Sequence, residues 1–208
     1  MILVLTATED RLADAWARHC GGLAEVRLHR GSILDVECDA VVSPANSFGF
    51  MDGGIDAVYL THFGRPVQDR LRRAILDRHH GELTIGSAEL VETGDARIPY
   101  MIAAPTMRVP MVLGPETINP YLATRAVLLL ARHGRFADGT PMAERLRVIA
   151  FPGMGTGVGR VPVEIAARQV RTAIDEHLRG SFRLPTSWAE ASERHQLLYT
   201  DRPTRLQY

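Results

Sequence analysis

The sequence predicts an α/β fold, a sheet sandwiched between helix layers, and three observations carry that reading. Short apolar runs alternate with stretches of helical periodicity along the chain. Two glycine-rich turns, residues 43–56 and 151–162, each leave an apolar run and enter a helical pattern. The 208 residues are 46% apolar, enough for one sizeable core and hardly for two, so a single domain is expected over 1–208.

Residues 2–5 form an apolar run that reads as the first strand, followed over 10–19 by Leu12, Ala13, Ala15 and Trp16 at helical spacing. Gly21 and Gly22 end that helix. Residues 24–28 alternate as a second strand, and Ala40, Val41 and Val42 form a short buried strand before the first glycine turn. A helix is predicted over 55–63, closed by Gly64, and another over 66–80 with Leu71, Ile75 and Leu76 inward. Strands follow at 87–93 and 100–104. Residues 121–133 predict a mostly buried helix, 147–151 a strand and 162–179 a helix with Pro162 at its first position. The polar segment 181–208 is predicted to be a last strand or arm.

A strand, a glycine turn and a helix N-terminus in succession suit phosphate. Glycine permits close backbone approach, and the first helical turn offers unpaired N–H groups at the positive end of the helix dipole. Two such turns predict two phosphates or one diphosphate. The second turn is neither a Rossmann fingerprint, which follows an early strand and has an acidic residue about 20 positions on, nor a P-loop, whose lysine is missing. Asn46 suits a turn, and Asp52 or Asp56 suits a helix cap or first turn; their place in a glycine turn also makes them candidate ligand contacts.

Composition narrows the chemistry further. Basic and acidic residues number 24 each, so net charge predicts neither a nucleic-acid groove nor a membrane surface. All the basic residues are arginine, which excludes a Schiff-base or general-base lysine. Cys20 and Cys38 have no paired spacing, and the adjacent His79 and His80 point about 100° apart on a helix, so neither a disulfide framework nor a metal site is predicted. The N-terminal run lacks a basic flank and soon turns polar, and no apolar stretch reaches the ~18 residues that span a bilayer. A cytoplasmic protein is expected.

Residues 31–46 resemble, without a gap, the glycine, strand and asparagine run of the macrodomains, stand-alone bacterial ADP-ribose-binding modules included. Residues 151–162 resemble that family's second loop, and the likeness covers about 24–180. It implies a three-layer α/β/α sandwich with a mixed, mostly parallel central sheet. Asn46 falls on the asparagine that hydrogen-bonds the distal ribose, and Asp56 on the aspartate that positions water near the anomeric carbon in hydrolytic members. By the same resemblance Gly53, Gly54 and Ile55 line the distal ribose and adjacent phosphate. Gly155, Thr156, Gly157 and Val158 donate to the diphosphate, and Ile33 sits beside adenine. Ser32 stands where the family carries the aspartate that accepts from the adenine amino group, with Asp35 as a candidate replacement. Ser43 replaces an asparagine. Gly159 and Val161 stand where many members carry an aromatic, for which Phe48, Phe50 and Tyr121 are candidates.

The resemblance implies an ADP-ribose-binding protein that hydrolyses ADP-ribosyl esters, of a mono-ADP-ribosylated acceptor or of O-acetyl-ADP-ribose, without cofactor or metal. Recognition of ADP-ribose or a related nucleotide diphosphate without turnover is the alternative, and a structural role for the glycine turns a third.

Overall fold

The computed structural model describes residues 1–204. Its sheet has six strands in the order β2-β1-β6-β3-β5-β4. These are β1 (Ile2–Ala7), β2 (Val26–Arg30), β3 (Ala40–Ser43), β4 (Glu89–Glu92), β5 (Tyr100–Ala103) and β6 (Val148–Phe151). Five run parallel, and β4 alone is antiparallel, to β5. The sheet is therefore mixed and mostly parallel, as expected.

Alternation along each strand explains why the runs are apolar throughout. Leu3, Leu5, Ala40, Val42, Ile102, Ile149 and Phe151 enter one core, while Val4, Val41, Met101, Ala103 and Ala150 enter the other. The first core is closed by α1 (Asp10–Cys20), α4 (Asn119–His133) and α6 (Val163–His177), and the second by α2 (Gly54–Phe63) and α3 (Arg65–His79). Trp16 is 1% exposed, and its indole N–H donates to Thr6 O at 3.2 Å, tying α1 to β1. Asp39 guides β6 into the sheet, one carboxylate oxygen accepting the Arg147 and Val148 N–H groups at 2.7 Å each.

Several boundaries move. The second strand lies at 26–30, two residues beyond its expected place, and its outer position leaves most of it exposed, so burial does not sharpen its pattern. The helix expected from Tyr121 starts at Asn119, and α5 (Met142–Arg145) was not predicted. The expected terminal strand or arm contains instead a helix, α7 (Trp188–Gln196). Its signal is the Ser187-x-x-Glu190 spacing of an N-terminal cap: Ser187 Oγ accepts the Glu190 N–H at 3.1 Å, and the Glu190 carboxylate reaches back to accept the N–H of Thr186, the residue before the cap, at 2.7 Å. Residues 205–208 of the expected arm lie outside the described residues.

Candidate functional site

Ligand clefts of parallel α/β sheets open beyond the carboxyl ends of the strands. Here a cleft of about 550 Å³ runs along that edge. The strand order decides what lies where. Loops after β1 and β2 supply Thr8, Glu9, Ser32 and Ile33 at one end. The loop after β6 supplies Gly155, Thr156, Gly157, Val158 and Gly159 in the middle, and the loops after β3 and β5 supply Asn46, Asp56, Thr106 and Met107 at the other end. Strands β2 and β3 are three spacings apart, about 14 Å, so the cleft suits an elongated ligand.

The middle offers main-chain donors. Gly155, with φ +70°, turns the chain back, and Val161 N–H donates to Gly155 O at 3.1 Å. The N–H groups of Gly155, Thr156, Gly157 and Val158 have no protein acceptor among the described residues. Across from them Gly53 caps α2, whose first turn leaves the Gly54, Ile55 and Asp56 N–H groups without intrahelical partners. The charged side chains in the lining are Glu9, Asp52 and Asp56, all acidic. An anion in this cleft is thus held by backbone dipoles and not by ion pairs.

Asp56 sits in the first turn of α2 and is 5% exposed. One carboxylate oxygen accepts the Ser43 hydroxyl proton at 2.6 Å. Burial pushes its pKa up to about 7, and the Ser43 hydrogen bond restrains that rise. A carboxyl balanced near neutrality can take a proton from a bound water and return it. Ser43→Ala removes the donor that favours the charged form. The expected outcome is an acid limb of any Asp56-dependent rate profile displaced to higher pH, and an unmoved limb would show that Ser43 does not tune Asp56.

The other expected positions, Ile33, Asn46, Gly53, Gly54, Ile55, Gly155, Thr156, Gly157, Val158 and Gly159, all line this cleft. Asn46 is largely committed to its own loop: Oδ1 accepts the Phe48 and Phe50 N–H groups at 3.1 and 3.2 Å, and Nδ2 donates to Phe50 O at 2.8 Å. One amide N–H remains for a ligand. Of the three aromatic candidates, Phe50 lines the cleft, its ring under the Arg72 guanidinium at 4.4 Å. Phe48 belongs to a separate groove beside α3. Tyr121 is turned away, its hydroxyl donating to Glu176 at 2.6 Å between α4 and α6. Asp35 does not line the cleft, whereas Glu9, Thr106 and Met107, not singled out from the sequence, do. Their signal was positional, since each follows the carboxyl end of a strand.

The Macro domain family model matches residues 42–170. An uncharacterized protein of Aquifex aeolicus is 37% identical over 144 residues, 69% of this chain and 77% of that protein. An ADP-ribose glycohydrolase of Mus musculus, MACROD1, is 30% identical over 154 residues, 74% of this chain and 43% of the mouse protein. Among solved structures, a mutant macrodomain of Oceanobacillus iheyensis with ADPR superposes with a TM-score of 0.59 at 18% identity, covering 72% of this chain and 76% of that one.

Proposed function

The chain belongs to the Macro domain family, and from this premise we propose that it binds ADP-ribose and hydrolyses ADP-ribosyl esters. The observation that carries the reading is a buried carboxyl, raised to about 7, at the end of a cleft whose centre presents unpaired backbone N–H groups. The diphosphate lies against the Gly155–Val158 amides and the first turn of α2. That places the distal ribose by Gly53, Gly54, Asn46 and Asp56.

Asp56 accepts a proton from water, the water oxygen bonds to the anomeric carbon, and the bond from that carbon to the acyl oxygen breaks, releasing the carboxylate. Ester and water are held together, so most of the acceleration comes from positioning. No step requires a metal or an organic cofactor. A cytoplasmic setting in a bacterial cell is part of the proposal, supported by two buried free thiols, Cys20 and Cys38. Among the described residues no helix is long and apolar enough to cross a membrane.

Recognition without turnover is favoured by one observation, the engagement of Asn46 with its own loop, which leaves little of its side chain for ribose hydroxyls. Calorimetric titration with ADP-ribose, ADP, AMP and NAD tests the binding. ADP-ribose is expected to bind at least about tenfold more tightly than ADP; equal affinities would remove the distal-ribose pocket. Turnover of an ADP-ribosyl ester should fall by about a hundredfold or more in Asp56→Ala, and an unchanged rate would leave recognition alone.

A further inference from the structure

A second groove, of about 460 Å³, lies outside the ligand cleft, between α3 and the strap of residues 48–51. Phe48 and Phe50 line it from the strap, and Arg72, Arg73 and Leu76 line it from α3. The strap is fastened to that helix. Arg72 Nη1 donates to Phe48 O at 3.2 Å, Gln68 Oε1 accepts the Met51 N–H at 2.9 Å, and a Cβ on Gly49 would lie 3.0 Å from Ile75 Cδ1. From the cleft side Asn46 binds the Phe50 N–H and carbonyl at 3.2 and 2.8 Å. The strap is therefore one wall shared by two hollows, and Phe50 lines both.

The two hollows are opposite in charge. Glu9, Asp52 and Asp56 are the charged side chains of the cleft, whereas Arg72 and Arg73 dominate the groove. The acid that lines the groove, Asp69, is held by Arg65 at 3.2 Å, and neither Arg72 nor Arg73 has a carboxylate partner among the described residues. The Arg72 guanidinium lies over the Phe50 ring, 4.4 Å from its centroid. That contact and the bond to Phe48 O occupy one face and one N–H of the fork, so its other donors are open to a ligand. Leu76, 58% exposed, adds an apolar surface beside them.

Resting on the reading of the cleft as a site for ADP-ribosyl esters, we propose that this groove holds the acceptor, a polypeptide with acidic residues beside the one that carries the ester. The acceptor hangs from the anomeric carbon of the distal ribose, at the cleft end where Asn46 stands, and leaves over Phe50 into the groove. A carboxylate next to the modified residue takes the open donors of Arg72, Arg73 adds to the attraction, and an aliphatic side chain covers Leu76. A peptide suits the groove better than a nucleic-acid strand. The acyl half of the scissile ester is a carboxyl, which polypeptide side chains carry. Arginines also cover one face of each aromatic ring on which bases would stack, Arg72 over Phe50 and Arg108 over Phe48, the latter at 5.2 Å.

The probes are short peptides joined to the anomeric carbon of the distal ribose of ADP-ribose through a side-chain amide in place of the ester, so that binding is read whether or not the ester turns over. One peptide has aspartates on both sides of the joined residue, and the other has asparagines. By calorimetry the acidic conjugate is expected to bind about fivefold or more tightly than the neutral one, and the ratio to shrink as salt is raised. Arg72→Ala brings the ratio to within about twofold, Arg72→Lys keeps part of it, and Arg73→Ala narrows it. A displaced strap weakens free ADP-ribose as much as both conjugates, so the ratio isolates the groove. No preference in the unmodified protein, a preference indifferent to salt, or one that survives both alanine variants overturns the groove as the acceptor site and leaves the cleft as read. A conjugate of ADP-ribose with a short oligonucleotide that binds more tightly than the acidic peptide, and loses that advantage in Arg72→Ala, assigns the groove to nucleic acid and overturns the peptide. Failure of the unmodified protein to bind free ADP-ribose and both peptide conjugates overturns the ADP-ribose reading itself.

Discussion

Asp56→Asn is expected to abolish hydrolysis and at the same time to stabilise the protein at alkaline pH. The carboxyl is 5% exposed and its pKa in the folded protein is about 7, against an ordinary 3.8. Between those values the unfolded chain has released the proton and the folded chain still holds it. Stability therefore falls as pH rises through that window, and the cost is complete above the folded pKa. Three pKa units amount to a cost on the order of 4 kcal/mol. Asparagine carries no charge to desolvate, and its carbonyl accepts the Ser43 proton as the carboxylate does. By melting at pH 8.5, Asp56→Asn should exceed the unmodified protein by roughly 5–15 °C. At pH 4, where the native carboxyl is neutral, the two should nearly coincide. A gain of the same size at both values, or none at pH 8.5, would show that the carboxyl is solvated and lacks the raised pKa that suits it to proton transfer.

Gly159→Ala and Gly157→Val are expected to weaken the ligand for different reasons. A Cβ on Gly159 would lie 2.6 Å from Gly155 O, and 3.1 and 3.2 Å from Leu113 and Met107 side-chain carbons. The nearest obstacle is backbone, so the turn itself must open. Opening disturbs the Val161 N–H bond to Gly155 O and the Leu113 N–H bond to Gly159 O. Destabilisation of about 1–3 kcal/mol should accompany the lost affinity. A Cβ on Gly157 meets nothing within 4 Å, and its φ is not positive. Gly157→Val should therefore leave stability within about 0.5 kcal/mol while reducing ADP-ribose affinity at least about tenfold. If Gly157→Val binds normally, the exposed tip of the turn does not touch the diphosphate.

These contrasts mark what was legible in the sequence. The two glycine turns could be found because residue type and flanking pattern coincide there, and each occupies the strand-to-helix position expected for it. The aromatic at the cleft rim could not be chosen among Phe48, Phe50 and Tyr121. Side-chain direction in an irregular loop follows the local hydrogen bonds, here those Asn46 makes with Phe48 and Phe50, and spacing does not encode them. Glu9 was unremarkable in a run of Glu9, Asp10 and Arg11. It lines the cleft because the order β2-β1-β6-β3 puts its turn on the same edge as the glycine loops. The α7 helix was missed for a smaller reason, a four-residue capping signal inside a polar stretch.

The position of β6 also governs how the chain reaches its folded state. Its neighbours β1 and β3 are made well before it, and the strand that joins them arrives only after residue 147. Until then the two halves of the sheet present unpaired edges toward each other, and pairing across that gap closes a long loop of chain. A ribosome-bound intermediate ending before β6 is a split sheet with its future centre open, the kind of species that associates with other chains. Because the same strand leads directly into the central glycine turn, ligand-binding competence and closure of the sheet arrive in one event, after the other five strands have been made.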